Sequence, residues 1–412
     1  MPDPKRTDAP ERALFWHCQR CGTPNSSASY VTHCLGCGAL RRNERAVPAE
    51  RPAEPKAKAE PSGGTRVLIR PTRGRFLSAA SWAYAALMIA VLVLIRWVGD
   101  GWWGVTVLLF LPRWLFLGPI AVLAVASGIW RCPWHWAIHA ATGLIVAGPL
   151  MGLSLPIGQL WKRPPAAGDR LRLVTYNLSQ YPVRAEEFRA WLAREKVDVV
   201  CLQEGTRSSA ATQDLLGEGW HVSRDGMVGS RWPIVSEMPP HEQTVGGDDR
   251  WTGRLERVWV RSPSGVEFLV ASAHMPTMRH GLLRFMSGDV SGVRLHTDWW
   301  GKEVSRLLAA LAESHGLPML VAGDFNMPAD DSTMASLRSN FQFAFEEAGW
   351  GYGYTRPTRY PWVRIDHILA GPEWEITACR VGPDFGSDHL PVIAEAVLIP
   401  PPAPAAPTAP AG

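Results

Sequence analysis

The chain has 412 residues, with 42 Lys/Arg against 38 Asp/Glu and seven cysteines, enough for two or three domains. Its formal charge of +4 is unevenly spread: residues 1–75 carry a net +7, residues 76–167 a net +4 and residues 168–398 a net −7. Four cysteines crowd near the start and three (Cys132, Cys201, Cys379) are scattered, which excludes a disulfide framework; the first apolar stretch begins too late for a cleavable signal peptide.

Residues 1–15 are polar and read as disordered. Within 16–40, Cys18-x₂-Cys21 and Cys34-x₂-Cys37 form two knuckles. Four thiolates at this spacing suit tetrahedral Zn²⁺, and a segment so short needs such a staple to fold. His17 and His33 are surplus to a shell already filled. Trp16 before the first knuckle and Asn25 after it make the segment similar to a RanBP2-type zinc finger, although eight residues rather than the family's usual six separate Asn25 from Cys34. The resemblance implies a protein or RNA partner for the finger. Residues 41–75, rich in Ala, Pro, Glu, Lys and Arg, read as a flexible linker.

The composition then changes. Ala79–Ile95 has no charge and the length of a membrane span, Trp102–Leu111 is a shorter apolar run, and Trp114–Trp130 and Trp134–Trp161 are also charge-free. Tryptophans cluster at their ends, where a bilayer interface favours them. The expectation is an integral-membrane region over 76–161 with about three transmembrane helices, at about 79–98, 114–130 and 134–155. Trp102–Leu111 is left as a half-span or interfacial segment. The basic excess before the first span predicts a cytoplasmic amino terminus at the plasma or inner membrane, with an exoplasmic catalytic part.

From 168 to 398 short β-rich runs alternate with helical stretches, including Ala185–Glu195 and Lys302–Ser314, which predicts a soluble α/β domain. Pro276–Asp298 reads as a long irregular loop, whose Arg279, His280, Arg284 and Arg294 belong to a solvated rim. Cys201, between apolar neighbours, reads as a small buried hydrophobe. Residues 399–412 are Pro/Ala-rich and read as a disordered tail.

Polar residues stand at the ends of these strands. Asn177 closes LVTYN, Glu204 follows VVCLQ, His274 closes VASAH, and Asp324 and Asn326 lie in GDFN. Asp366 lies in RIDHI, and Asp388 and His389 in SDHLP. Strand ends gather distant residues into one cleft. Carboxylates and amides suit Mg²⁺ or Mn²⁺, and imidazoles suit charge developing on phosphorus.

The ordered set YN, QE, SAH, GDFN, RIDHI and SDHLPV, with SRWPI at Ser230–Ile234, resembles the endonuclease/exonuclease/phosphatase superfamily, whose catalytic domains are deoxyribonuclease I-like. The resemblance implies a four-layer α/β sandwich: two packed mixed β-sheets flanked by helices. It implies Glu204 as principal metal ligand, with Asn177 and Asp388 on the metal side. Asp324 would orient or deprotonate the attacking water, and Asn326 would contact a phosphate oxygen. His389, oriented by Asp366, and His274 would contact the phosphate. The expected activity is divalent-metal-dependent phosphoester hydrolysis near a membrane, on a lipid headgroup. The alternatives are a membrane-tethered nuclease, and a zinc-finger scaffold or sensor with secondary hydrolysis.

Overall fold

Among the described residues the chain forms fifteen strands with helices between them. A computed structural model of the protein describes residues 15–17, 24–26, 72–99, 102–162, 168–205, 208–239, 241–244, 252–314 and 316–399. The first two strands, β1 (Phe15–His17) and β2 (Pro24–Ser26), pair antiparallel with Trp16 opposite Asn25. Cys18, Cys21, Cys34 and Cys37, the linker over 41–71 and the tail after 399 lie outside the described residues.

One sheet runs in the order β14 (Trp374–Val381), β15 (Val392–Leu398), β3 (Arg170–Asn177), β4 (Val199–Gln203), β6 (Val228–Ser230), β5 (His221–Val222). The other runs β12 (Gln342–Phe343), β13 (Asp366–Ala370), β11 (Met319–Asp324), β10 (Glu267–His274), β9 (Thr252–Arg261), β7 (Ile234–Glu237), with β8 (His241–Thr244) beside β9. The pairs β3–β4 and β10–β11 are parallel and the remaining pairs in these two sheets antiparallel, so both sheets are mixed.

Both faces of the central strands are buried, which explains their nearly unbroken apolar runs. Leu171, Leu173, Val199, Val260, Phe268, Val270, Leu320 and Ile368 fill the space between the sheets. Outside the first sheet, helix Ala185–Arg194 packs Phe188, Trp191 and Leu192 against Val174, Tyr176 and Val200. Outside the second, the long helix Val290–Ala312 packs Trp300, Val304, Leu307 and Leu311 against Leu269, Ala271 and Val321. The result is two packed mixed sheets flanked by helices.

The segment Pro276–Asp298 is not irregular. It forms helix Arg279–Met286 and the first turns of Val290–Ala312, whose start is capped by the Asp289 carboxylate accepting from the Ser291 N–H at 2.9 Å. Gly, Ser and Asp at 287–289 make the break between two helices rather than a loop.

The amino-terminal apolar region also differs from expectation. Gly74–Val98 is the one helix among the described residues long and apolar enough to cross a membrane; Trp103–Phe110 and Arg113–Ile129 meet that test only as a pair, bent by 90°. The stretch expected as a third span is an 11-residue helix, His135–Ile145, running into a π-turn at Val146–Leu150 that contains Pro149; Gly152 then turns the chain at φ 73. Only the first of the three expected spans has the length of a bilayer crossing by itself.

The chain divides into two compact units, Met1–Ile89 with Phe116–Ile145, and Ala90–Leu115 with Val146–Gly412. In the first, His135 Nε2 pairs with Ser78 Oγ at 2.9 Å and His139 Nε2 with Ser127 Oγ at 3.0 Å, tying the helices together through polar contacts. The second contains the sandwich and the apolar helix Trp103–Phe110. Its Val105 and Leu109 are buried, Thr106 bonds Thr297 at 3.0 Å, and Phe110 packs onto the core beside Val290–Ala312. Arg113, just beyond that helix, forms a bidentate pair with Asp330 at 2.6 and 3.1 Å and donates to the Leu150 and Leu109 carbonyls. Tyr352 and Tyr354 donate to the carbonyls of Ala147 and Met151. The compact unit that holds the sandwich thus includes residues before 168.

Candidate active site

Pleat parity decides which side chains enter the cleft. On β3, Leu171 and Leu173 face the opposite sheet, so Asn177 does too; on β10, Phe268 and Val270 do, so His274 follows. Leu320 and Ala322 set Asp324, and Ile368 and Ala370 set Asp366, by the same rule. Register completes the arrangement: His274 stands opposite Asp324 on β10–β11, and Asp324 opposite Asp366 on β11–β13, so three strands place three polar residues side by side. A Cβ at Gly323 would come within 1.8 Å of the Ala273 carbonyl oxygen, so the glycine of GDFN lets β11 lie this close to β10.

The two sheets are joined beneath the cleft by polar contacts. Gln203 is fully buried, accepts from the Thr175 hydroxyl at 3.2 Å and donates to Ser272 on the facing sheet at 3.1 Å. Directly after β4, Glu204 takes φ 54, and after β11, Asn326 takes φ 50; Ser179 and Gln180, just past β3, are also left-handed. Such backbone costs about 1–3 kcal/mol at each non-glycine residue and persists where surroundings enforce it.

Asn177, fully buried, donates from Nδ2 to Glu204 Oε1 at 3.0 Å and to Asp324 Oδ2 at 2.9 Å. His274 Nε2 lies 3.4 Å from Glu204 and 3.8 Å from Asp324. His389 Nδ1 pairs with Asp366 at 2.9 Å, while its Nε2 lies 3.8 Å from Asp324. Asn326 donates its backbone N–H to Asp324 Oδ1 at 2.7 Å, and its side chain to the Met275 carbonyl at 2.8 Å. Six of the predicted residues therefore meet around the Asp324 carboxylate: Asn177, Glu204, His274, Asp324, Asp366 and His389. Asn326 buttresses it through its backbone N–H, and its side-chain nitrogen is engaged by the Met275 carbonyl.

Two predicted metal-side residues are placed differently. The Asn177 side-chain oxygen Oδ1 accepts the Ser179 N–H at 2.8 Å, and the amide presents its nitrogen to the Glu204 and Asp324 carboxylates. Asp388 stands at the rim, with one oxygen bonded by the Ser179 hydroxyl and the other by Arg356 at 2.8 Å, and lies 3.9 Å from His389 Nε2. Arg356, Ser179 and Ser387 were not among the sequence candidates. Ser387 donates to the Asn177 carbonyl at 2.7 Å and accepts the His389 N–H at 3.1 Å. Its signal lay within SDHLP, whereas that of Arg356 needs the folded loop.

Burial pushes the Asp324 carboxyl up, and the Asp366 charge adds to this against the pull of His389. Burial disfavours the His389 imidazolium, but Asp366 and Asp324 outweigh it and push its pKa up to about 9. Burial would raise Asp388, but the Ser179 hydroxyl and the Arg356 guanidinium hold it below the usual carboxylate range. At neutral pH the imidazolium of His389 thus faces Asp324, with its other nitrogen fixed by Asp366.

Glu204, His274 and Asp324 each offer a donor atom within 4.8 Å of the others, and Asp324, Asp366 and His389 do the same. The first set, with two carboxylates and a half-exposed Glu204, fits a hard divalent cation. The second is dominated by the Asp366–His389 pair and suits proton placement.

Asp366→Asn removes the main charge that keeps His389 protonated. Since the folded pKa is raised, the imidazolium adds stability that is complete below its unfolded pKa of about 6.5 and lost as pH rises through about 9. In the variant the alkaline limb of the pH–rate profile is expected to move down toward pH ~6.5, with a loss of about 10²-fold at neutral pH. An unmoved limb would show that His389 does not set it.

The family model described as "Endonuclease/Exonuclease/phosphatase family" matches residues 174–389. No curated protein matches the chain. Among solved structures, an endonuclease/exonuclease/phosphatase family protein from Bacteroides thetaiotaomicron is 17% identical, with 57% of this chain and 99% of that one covered and a TM-score of 0.46. A mannosyl-6-phosphatase from the same organism is 17% identical, with 55% and 100% covered and a TM-score of 0.43. The human nocturnin catalytic domain is 17% identical, with 56% and 94% covered and a TM-score of 0.39. A family match spanning more than half the residues, with its ends on β3 and on His389, leads to one conclusion: the chain belongs to the endonuclease/exonuclease/phosphatase family, whose members are phosphoester hydrolases.

Proposed function

We propose that the protein is a membrane-anchored, divalent-metal-dependent phosphoesterase that hydrolyses its substrate by in-line attack of water on phosphorus. The observation that carries this reading is the convergence on Asp324, whose carboxylate Asn177 holds: His274 lies 3.8 Å from it and 3.4 Å from Glu204, and His389 lies 3.8 Å from it on the other side. Asp324, fixed through both oxygens and raised toward neutrality by burial, is the group to hold and deprotonate water. His389 donates from Nε2 to a phosphoryl oxygen while Asp366 fixes its ring, and His274 faces the same oxygens from the adjoining strand. Mg²⁺ or Mn²⁺ bound at Glu204 and Asp324 would supply Lewis-acid neutralisation of the developing charge.

A cavity of about 510 Å³ opens beside Glu204, lined by Leu178, Tyr181, Val183, Ala211 and Leu215. Among the described lining residues Glu204 is the one charged group, which favours a small or lipid-borne ester over a polyanion needing Lys/Arg along its backbone. Anchorage is supported by Gly74–Val98, whose Trp82, Leu87, Ile89 and Trp97 project outward. Cys18, Cys21, Cys34 and Cys37 are proposed to hold one Zn²⁺, in a finger facing the cytoplasm with a protein or RNA partner; the catalytic part is proposed to be exoplasmic.

The test is a panel of phospholipid, sphingomyelin, sugar phosphate and single- and double-stranded DNA substrates, assayed on full-chain protein with Mg²⁺. Glu204→Gln is expected to lower the rate about 10²–10³-fold and to weaken half-saturation by Mg²⁺. Activity that survives chelation and tolerates Glu204→Gln would remove the metal from the mechanism. Cleavage of DNA alone would replace the lipid-borne substrate with a nucleic acid.

A further inference from the structure

Helix Arg279–Met286, which begins five residues after His274, has two apolar faces. Inward, Leu282 packs on the core and Phe285 lies against Trp103, ring centroids 5.5 Å apart. Outward, Leu283 is 51% and Met286 81% exposed, and Val290 and Leu295 on the helix packed beside it are exposed too. A lone exposed leucine needs no explanation, but a cluster of exposed apolar side chains on a helical hairpin does. Arg279 and Arg294 are exposed on the same two helices.

Chain connectivity locates this hairpin. Val98 closes the membrane-length helix and Trp103 starts the next one five residues later, so Trp103 lies within about 17 Å of that end. Phe285 rests on Trp103, and Leu94–Val98 packs against Ser332–Met334, the turn that follows GDFN. Trp102, itself exposed, is the ring type that interfaces favour.

We infer that the Arg279–Met286 hairpin is an interfacial membrane-contact element that inserts Leu283 and Met286 into the headgroup region of a bilayer, so that the substrate is a phosphoester carried on a lipid headgroup. The apolar tip with flanking arginines is the composition that such helices require, and the arginines complement anionic lipid. The inference rests on the membrane-anchored reading proposed above. It adds the claim that the catalytic unit itself touches the bilayer beside His274.

The test uses the full chain in vesicles of phosphatidylcholine with phosphatidylglycerol. A fluorescent amino acid is placed at position 286 or, as reference, at position 87 on the membrane-length helix. Position 286 is expected to be quenched by headgroup nitroxide lipids, and position 87 by acyl-chain nitroxide lipids. Quenching of 286 by aqueous iodide alone, with 87 still in lipid, overturns the contact and leaves the anchor standing. Iodide quenching at both positions overturns both. In parallel, Leu283→Asp with Met286→Asp is expected to lower turnover of a vesicle-borne phosphodiester by about tenfold or more, with bis(p-nitrophenyl) phosphate hydrolysed unchanged. Equal loss on both substrates would mark a folding defect, and no loss on the vesicle substrate would reject the lipid headgroup as target.

Discussion

Asp324→Asn is expected to abolish most turnover, by about 10³–10⁴-fold, while the protein stays folded. Four contacts converge on this carboxylate, one of them from His274 at 3.8 Å. Asn326 N–H and Asn177 Nδ2 fix its two oxygens, and the His389 ring lies 3.8 Å away. Asparagine keeps the shape but cannot take a proton from water, and it turns an amide N–H toward the Asn177 nitrogen. The partial charge that helps to hold His389 protonated goes with it, so two catalytic groups are impaired by one substitution. Thermal melting of purified protein should change little, since a buried charge is also removed. A rate within tenfold of the parent would mean that Asp324 merely lines the cleft.

The largest effect on stability is expected at Arg113. Its guanidinium is bidentate to Asp330 and donates to two carbonyls, and the pair is almost wholly buried, with side-chain exposures of 7% and 13%. Burial raises the Asp330 carboxyl, yet Arg113 outweighs it and holds it below the usual range, so the pair contributes stability that fades as pH falls through the depressed pKa. Arg113→Met strands a buried carboxylate and should cost about 3–5 kcal/mol. Adding Asp330→Leu removes the stranded charge and should restore most of the loss, because a buried pair is often replaceable by apolar packing. Denaturant melts of the two variants provide the measurement. Single and double variants melting alike would show that the pair is dispensable to the fold.

The central strands and the alignment of Asn177, His274, Asp324 and Asp366 were legible because a β-strand has period two and both of its faces here are apolar. A polar residue at a strand end with the parity of inward neighbours reads as a cleft residue before any coordinates exist. The packing of Trp103–Phe110 was not legible, since an apolar octet has the same composition whether lipid or protein covers it; Thr106 on Thr297 and Phe110 on the core appear only in three dimensions. Pro276–Asp298 misleads through its Gly, Ser and Asp, which belong to helix ends. The family resemblance places Asp388 on the metal side and carries no information about its neighbours in the fold. Ser179 and Arg356, distant in sequence, hold it to the rim instead.

The catalytic unit is assembled from two stretches of chain, Ala90–Leu115 and Val146–Gly412, with thirty residues of the other unit between them. During synthesis the site residues emerge last, long after Trp103–Phe110 and Arg113, which must wait for Asp330 to be made before they are covered. Arg113 therefore gains its buried partner only after a further 217 residues have been made, so this part of the core closes late.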